Sequence, residues 1–396
     1  MEYNFSDRVK NLKGNAIREI FALLQDPELI SFAGGFPTLS TLPNKDIKRI
    51  TCELMDSDEA LSILQYGGTE GYMPLRKTIV DFASRYGIKD IAVDNVLIVS
   101  GGQQTIDLTN KCFVNKDDVV LLEEPTYLAF LHILKTYQGK AVGVKSDDDG
   151  INVEDLERKI IELKPKLLYL VPTFSNPTGK TLSISKRKKI AEITAKYNVM
   201  VLEDDPYSEL RFEGERVPSI KSFDKAGNII FTASFSKTVA PGLRCAYCIA
   251  DKDVIKKLTI GKQATDVHTS SLSQAIINKY ICDNLFEPHV EEIKKVYKEK
   301  KDAMTSAIEK YMPKRIKFTN PQGGLFIWGE INADIDTDEI FKDVCMKTKV
   351  AYVAGSTFFP GENVKNTFRL NYSNASKEQI EEGIKKLGGY FTEKLK

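Results

Sequence analysis

The residues best suited to chemistry lie in the stretch "TASFSKTVAPGLR", 232–244. It combines a primary amine, Lys237, two hydroxyls, Ser234 and Ser236, and a guanidinium, Arg244. An apolar run, 229–233, leads into it and reads as a buried strand. A structural lysine keeps its ammonium in water. At the carboxyl end of a strand, inside a cleft, Lys237 would lose hydration and its pKa would fall, as an amine that condenses with an aldehyde requires. Ser234, Ser236 and Arg244 could hold one phosphate, the arginine through a forked, charge-assisted contact.

Three further polar clusters fall at the ends of apolar runs. "SGGQQ" (100–104) joins a strand to a helix; its glycines would let the backbone approach an anion, and the helix start offers free N–H groups. Alone it is equally a plain turn. "SNPTGKT" (175–181) ends in G-K-T but lacks the glycine a Walker loop needs at 174, so it is no nucleotide loop. What remains is Asn176, fixed by Pro177, able to donate and accept hydrogen bonds. "LEDDPY" (202–207) closes an apolar strand with three acids. These are either caps or solvated groups, or one carboxylate faces a buried cation. Opposite unit charges at ~4 Å and an effective dielectric of about 20 interact by about 4 kcal/mol. That is enough to keep a weakly basic ring nitrogen protonated. An amine for an aldehyde, donors for a phosphate and an acid for a ring nitrogen together suit pyridoxal 5′-phosphate.

Short β-branched runs must position these groups. Strands are expected at 96–102, 119–125, 141–145, 167–172, 199–205, 229–234 and 245–250, with helices over 103–113, 153–164 and near 185–197. The alternation predicts an α/β fold with a mainly parallel, seven-stranded sheet and helices on both faces. Ligands bind such sheets at the carboxyl ends of their strands. Beyond 285, Val290, Ile293, Tyr297, Met304, Ile308 and Tyr311 recur at helical spacing and predict one long amphipathic helix. The expected organisation is an N-terminal segment, 1–45, with a helix near 15–25, a large cofactor-binding domain, 46–290, and a small α+β domain, 291–396.

The chain has 396 residues, a formal net charge of +1, 42% apolar and 28% charged residues. This composition suits a globular protein of two domains and gives no reason for a nucleic acid or membrane partner. No apolar run approaches a membrane span, and the start lacks the apolar stretch of a secretory signal. Six scattered cysteines fit a reduced, cytoplasmic setting. Cys245 and Cys248 spell C-x-x-C in an alternating strand, so they point to opposite faces and read as core thiols, not a zinc site. No metal is expected.

Taken together and in order, these clusters resemble fold type I, class I/II aminotransferases that use pyridoxal phosphate, closest to the 2-aminoadipate and kynurenine aminotransferase subgroup, which also supplies the effector domain of MocR-like regulators. The resemblance spans nearly the whole chain. It includes "AIREI" (16–20), "ISFAGGFP" (30–37), "LQYGGTEGYMPLR" (64–76), "SGGQQTIDL" (100–108), "EEPTY" (123–127), "NPTG" (176–179), "EDDPYSEL" (203–210), "GGLFIW" (323–328) and "FRLNYS" (368–373). It implies that Lys237 bonds the cofactor and shuttles the proton, that Asp204 pairs with the ring nitrogen, and that Asn176 and Tyr207 hold the 3′-oxygen. Tyr127 would stack on the ring. Gly102, Gln103, Ser234, Ser236 and Arg244 would surround the phosphate, with Tyr66 arriving from the second subunit of a homodimer. Arg369 would clamp the substrate carboxylate, assisted by Asn176 and the backbone at Gly35, and Arg18 would meet an acidic side chain. The subgroup usually carries serine where this chain has Gly102, so one hydroxyl to the phosphate is missing.

The resemblance implies transamination between an L-amino acid (2-aminoadipate, aromatic or aliphatic) and a 2-oxo acid such as 2-oxoglutarate. A β-lyase, decarboxylase or synthase on the same scaffold is the first rival, and Arg369 with intact "NPTG" favours transamination over it. A non-catalytic, ligand-sensing regulator domain is the second. MocR-like regulators carry a winged helix ahead of the region matched here from about residue 15, and no such segment is expected. An NAD-binding oxidoreductase would need a G-x-G-x-x-G that "SGGQQT" does not supply.

Overall fold

The computed structural model describes residues 3–10, 12, 28–361 and 364–396. The helix expected near 15–25, and Arg18 on it, lie outside the described residues. The alternating runs form one seven-stranded sheet: β1 (Val96–Val99), β2 (Val119–Glu123), β3 (Lys140–Val144), β4 (Leu167–Leu170), β5 (Met200–Asp205), β6 (Ile229–Ser234) and β7 (Ala246–Ile249), in the order β1-β7-β6-β5-β4-β2-β3. β7 runs antiparallel to both of its neighbours, and the remaining pairings are parallel. The sheet predicted from the sequence is therefore present, with its strands ending up to three residues sooner than the apolar runs.

β1 and β4 are buried along their whole length, because helices cover both faces of the sheet. On one face, Leu97, Val99, Val120 and Leu122 pack with Ile106 and Leu108 of α1 (Gly102–Phe113) and with Phe130 and Leu134 of α2 (Leu128–Thr136). On the other, Leu121, Leu168 and Val201 pack with α3 (Val153–Leu163) and α4 (Ile184–Lys196). Cys245 and Cys248 fall in the cores of opposite faces, as two-residue strand periodicity requires. Asn152 starts α3 by accepting a bond from the Asp155 amide at 2.8 Å.

The helical spacing beyond 285 becomes α5 (Phe286–Tyr311), which buries Val290, Ile293, Tyr297, Met304 and Ile308. It leads to a four-stranded antiparallel sheet of β8 (Ile316–Phe318), β9 (Phe326–Ile331), β10 (Val353–Ala354) and β11 (Thr367–Asn371), in the order β8-β9-β11-β10. The chain ends in α6 (Lys377–Lys394), opened by a Ser376/Gln379 capping box. Residues Ile30–Ser31 pair in parallel with Val350–Ala351, which carries the turn-rich segment after them toward the large sheet.

α6 crosses the end of α5 closely enough that a Cβ at Gly388 would run into the Tyr311 carbonyl, whereas one at Gly389 would meet nothing within 4 Å. Gly389→Ala should therefore stabilise the protein by about 0.5–1 kcal/mol through helix propensity alone. Gly388→Ala should lose about 1–3 kcal/mol to overpacking. Urea unfolding of the two variants side by side checks the contrast, and equal midpoints would refute the close crossing.

Candidate active site

The carboxyl ends of β1, β2, β4, β5 and β6 meet along one edge of the large sheet. β7 runs the other way, so its amino end, preceded by Arg244, arrives at the same edge. A cavity of about 450 Å³ opens there, within the size range of small-molecule sites. Its walls include Gly102 and Gln103 after β1, Tyr127 after β2, Asn176 after β4, Asp204 and Tyr207 from β5 and its exit, and Ser234, Ser236, Lys237 and Arg244. β9 contributes Phe326 and β11 contributes Arg369, while Gly34, Gly35 and Phe36 close the cavity from the N-terminal side.

Lys237 stands just past the end of β6. Its ammonium donates to the Gly35 carbonyl at 2.8 Å. Burial, reinforced by the nearby Arg244 and Arg369 charges, lowers its pKa to about 8. The three acids that close β5 are all buried but meet different fates. Glu203 accepts from the Ile220 and Lys221 amides at 2.7 and 2.8 Å. Asp205 caps the next turn through the Ser208 amide at 3.0 Å. Asp204 faces the cavity and receives one hydrogen bond, 2.8 Å from the Tyr169 hydroxyl. Burial raises its pKa to about 7, against the Tyr169 bond.

Arg369 is fully buried. It donates to Asn176 Oδ1 at 2.7 Å and to the Ala33 carbonyl at 2.6 Å. Its guanidinium lies 4.2 Å from the centre of the Phe326 ring, and its Nε has no hydrogen-bond partner among the described residues. Burial lowers its pKa to about 10. Asn176 rides on a tight turn in which the Gly179 amide bonds the Ser175 carbonyl at 2.6 Å and the Ser175 amide bonds the Lys180 carbonyl at 2.8 Å. Gly179 sits at φ +70° with the Phe326 carbonyl where a side chain would go. Tyr207 stands edge-on to Phe326 at 5.8 Å, and burial raises the pKa of its phenol. Tyr127 is raised to about 12, again chiefly by burial.

Gly102, Ser234, Ser236 and Arg244 form a donor-rich end of the cavity, with Gly101 next to it in the chain. Ser234 Oγ donates to Ser236 Oγ at 2.9 Å and accepts from the Ser236 amide at 3.2 Å. Arg244, at φ +47°, donates to the Ser100 and Pro241 carbonyls at 3.3 Å each. Gly101 adopts φ +90° and packs directly against the Arg244 guanidinium, so the first glycine is obligatory. Gly102 is not: a Cβ there would come no closer than 3.8 Å to Asp204 Oδ1 and 4.0 Å to Ser234 Cβ.

Of the residues singled out in the sequence, Lys237, Asp204, Tyr207, Gly102, Gln103, Tyr127, Asn176, Ser234, Ser236, Arg244, Arg369 and Gly35 converge on this cavity. The Gly35 carbonyl accepts from Lys237, which leaves its N–H as the group that could assist a carboxylate. Tyr66 lies outside the cavity, 82% exposed, with its ring edge-on to His268 at 5.9 Å. Sequence reasoning missed Phe326 and Tyr169. Tyr169 stacks on Phe130 at 3.8 Å, and its hydroxyl, unusual in an otherwise aliphatic strand, was the available signal.

The donor set fits pyridoxal phosphate. Among the described residues Asp204 has no cationic partner, and a protonated ring nitrogen would provide one. The hydroxyls and Arg244 would receive the phosphate, Lys237 the aldehyde, and the unsatisfied Arg369 a carboxylate. A family model described as aminotransferase class I and II matches residues 28–387. The chain is 40% identical to aromatic-amino-acid aminotransferase 1 of Thermococcus litoralis, over 100% of this chain and 95% of that protein. Kynurenine aminotransferase of Pyrococcus horikoshii, solved in complex with PMP, superposes with a TM-score of 0.95 at 40% identity, covering 99% and 98% of the two chains. The α-aminoadipate aminotransferase of Thermus thermophilus, solved with N-(5′-phosphopyridoxyl)-L-leucine, gives 0.91 at 31% identity, covering 99% and 98%.

The Lys237 amine is protonated below about pH 8 and free above it. Cofactor capture by the apoprotein should therefore speed up with pH and level off just above pH 8, measured by stopped-flow absorbance. An ordinary lysine would keep gaining to about pH 10.4. Gly102→Ser should place a hydroxyl among the phosphate donors without a clash and tighten cofactor retention by about 1 kcal/mol or more. Dialysis of wild type and variant with cysteine as cofactor scavenger checks this; faster loss from the variant would count against the cradle.

Proposed function

The chain belongs to the class I and II aminotransferases and is a pyridoxal-phosphate-dependent aminotransferase; from that premise we propose that it transfers the amino group of bulky apolar, chiefly aromatic, L-amino acids to a 2-oxo acid such as 2-oxoglutarate. The arrangement of Arg369 carries this reading. It is a buried, partly unsatisfied guanidinium sharing one cavity with the half-buried Lys237, and Phe36, Phe326, Tyr127 and Tyr207 supply aromatic walls. Among the described lining residues the cations are Lys237, Arg244 and Arg369. A second carboxylate, as in 2-aminoadipate or 2-oxoglutarate, would depend on Arg18, which lies outside the described residues. The names of the similar proteins from Thermococcus litoralis and Pyrococcus horikoshii support aromatic donors, and that from Thermus thermophilus supports 2-aminoadipate.

When bound, the cofactor supplies the aldehyde that receives the amino group and a ring that withdraws electrons from Cα. The chain's residues do the rest. Asp204, kept beside the ring-nitrogen end of the cavity by Tyr169, would hold that nitrogen's proton. Asn176 and Tyr207 would fix the ring's 3′-oxygen, and Tyr127 would cover its face. Gly102, Gln103, Ser234, Ser236 and Arg244 would anchor the phosphate. Arg369, braced by Asn176 and the Ala33 carbonyl, would orient the substrate carboxylate. Lys237 Nζ, its pKa lowered to about 8 so that the neutral amine is within reach near neutral pH, would accept the Cα proton and return it.

We further infer a homodimer whose partner chain supplies Tyr66 to the phosphate. Leu61 (83%), Leu64 (65%) and Tyr66 (82%) are exposed on one short segment outside their own cavity, which supports a covering surface. Six cysteines without disulfides support a cytoplasmic setting, and no helix among the described residues is long and apolar enough to cross a membrane.

A screen of amino donors against 2-oxoglutarate, with both oxo-acid products identified, tests the substrate reading. Aromatic donors should lead in kcat/KM, and an aliphatic or acidic donor leading by tenfold would overturn it. In the same assay Lys237→Ala should lose turnover by about 10²–10⁴-fold or more. Arg369→Lys should raise KM for every donor alike, because the forked contact is lost whatever the side chain.

A further inference from the structure

The segment "GKQATDVHTS" (261–270) carries no part of the chemistry derived above. In the structure it lies directly behind the donor-rich end of the cavity. Lys262 has a completely buried side chain, on the helix Lys252–Asp266. Its ammonium donates to Gln104 Oε1 at 2.8 Å and to both Asp266 oxygens at 2.8 and 2.9 Å. Gln104 Nε2 donates to Asp266 Oδ2 at 2.8 Å, and Gln104 Oε1 also accepts from the Ser100 amide at 2.8 Å. Ser100 Oγ donates to Asp266 Oδ2 at 2.8 Å and lies 3.1 Å from Thr269 Oγ1. The one polar group Ser100 turns outward is its carbonyl, and that accepts from Arg244.

Ser100 is thus held from behind through both its amide and its hydroxyl, while its carbonyl faces the guanidinium. The next residue, Gly101, is the backbone against which Arg244 packs, and Gly102 and Gln103 follow at the start of α1. A second observation shows how firmly the same segment is held. Val267, one residue beyond Asp266, sits at φ +66°, ψ −61°, and the His268 amide bonds the Asp266 carbonyl at 2.7 Å. This is the rare, strained form of γ-turn, on a β-branched residue. Such strain persists only where the surroundings over-determine it, and it gathers at functional sites.

We propose that the Lys262–Asp266 pair, acting through Gln104 and Ser100, is the positioning device for the phosphate cradle: it presets the backbone at 100–103 and the Arg244 guanidinium before the anion arrives. The proposal rests on the assignment of the cradle to the cofactor phosphate. Lys262 and Asp266 touch neither the cavity nor its ligand; they are positioning residues whose effect is confined to the phosphate end. A purely structural role, pinning one helix to another, would weaken every ligand of the site equally.

Two ligands that differ in the phosphate alone separate these roles. The double variant Lys262→Met/Asp266→Leu removes both charges together and so leaves no lone buried ion. Apoprotein would be titrated with pyridoxal phosphate and with pyridoxal, following the absorbance of the bound aldehyde, with wild type as reference. The expected result is a cooperatively folding variant that binds pyridoxal as wild type does and pyridoxal phosphate at least about tenfold more weakly, a loss of about 1.4 kcal/mol. Equal losses for both ligands, or no loss for either, would overturn the proposal. Should the double variant not fold, Gln104→Leu, which leaves the ion pair in place, is titrated with the same two ligands: a selective loss of the phosphorylated one supports the device, and an equal loss or none refutes it. Wild type that shows no preference for the phosphorylated ligand would instead refute the cradle assignment itself.

Discussion

The cavity gathers two desolvated cations and one desolvated anion that do not neutralise one another. Lys237 bonds a backbone carbonyl, Arg369 bonds an amide oxygen and a backbone carbonyl, and Asp204 bonds a phenol. Charge held out of water without a counter-charge is expensive, and proteins ordinarily pair it or shift its pKa until it is lost. Here the pKa shifts are under way, with Lys237 at about 8 and Asp204 at about 7, yet no ion pair forms among the described residues of the cavity. Neighbouring acids show that this is selective. Glu203 and Asp205 flank Asp204 on the same strand and are satisfied by backbone amides. Only the carboxylate that points into the cavity waits for a cation. A ligand with an aldehyde, a carboxylate and a protonated ring nitrogen would meet Lys237, Arg369 and Asp204 in turn.

Keeping such groups apart demands rigid supports, and the fold supplies them from behind. The antiparallel β7 delivers Arg244 to an edge otherwise built from strand carboxyl ends. A parallel strand would have placed it on the far side of the sheet. Arg187, fully buried on α4, braces the loop that carries Asn176. It donates to the Pro172 carbonyl and Thr173 Oγ1 at 2.8 Å and to the Leu182 carbonyl at 3.0 Å. Asn176 in turn braces Arg369, which belongs to the other sheet. The Arg369–Asn176 bond is therefore a contact between the two sheets.

What was legible in the sequence was whatever strand periodicity could place. Lys237, Asp204, Asn176 and Gly102 each follow an apolar run, so the rule that ligands meet strand carboxyl ends collects them before any coordinates are known. The long helix from Phe286 and the opposite-facing cysteines follow from the same counting. Phe326 was not legible and Tyr169 showed only as a hydroxyl in an aliphatic strand, because their relevance depends on which strands become neighbours. Tyr169 reaches Asp204 only because β4 and β5 pair with Tyr169 opposite Leu202, two residues before Asp204 on the same face. Lys262 and Asp266, at i and i+4, look like any surface helix pair. That the lysine is wholly buried is a property of what α1 puts against it.

Two adjacent glycines show most sharply where a sequence stops being readable. In "SGGQQ" both look like concessions to an approaching anion. The structure separates them. Gly101 is required by its positive φ and by the arginine packed on it, whereas Gly102 has ordinary helical geometry and room for a side chain. The first glycine is there for Arg244, a protein group, and would be needed with or without a ligand. It follows that this turn is shaped first to seat its own guanidinium, and that an incoming anion meets a surface whose positive charge is already in place.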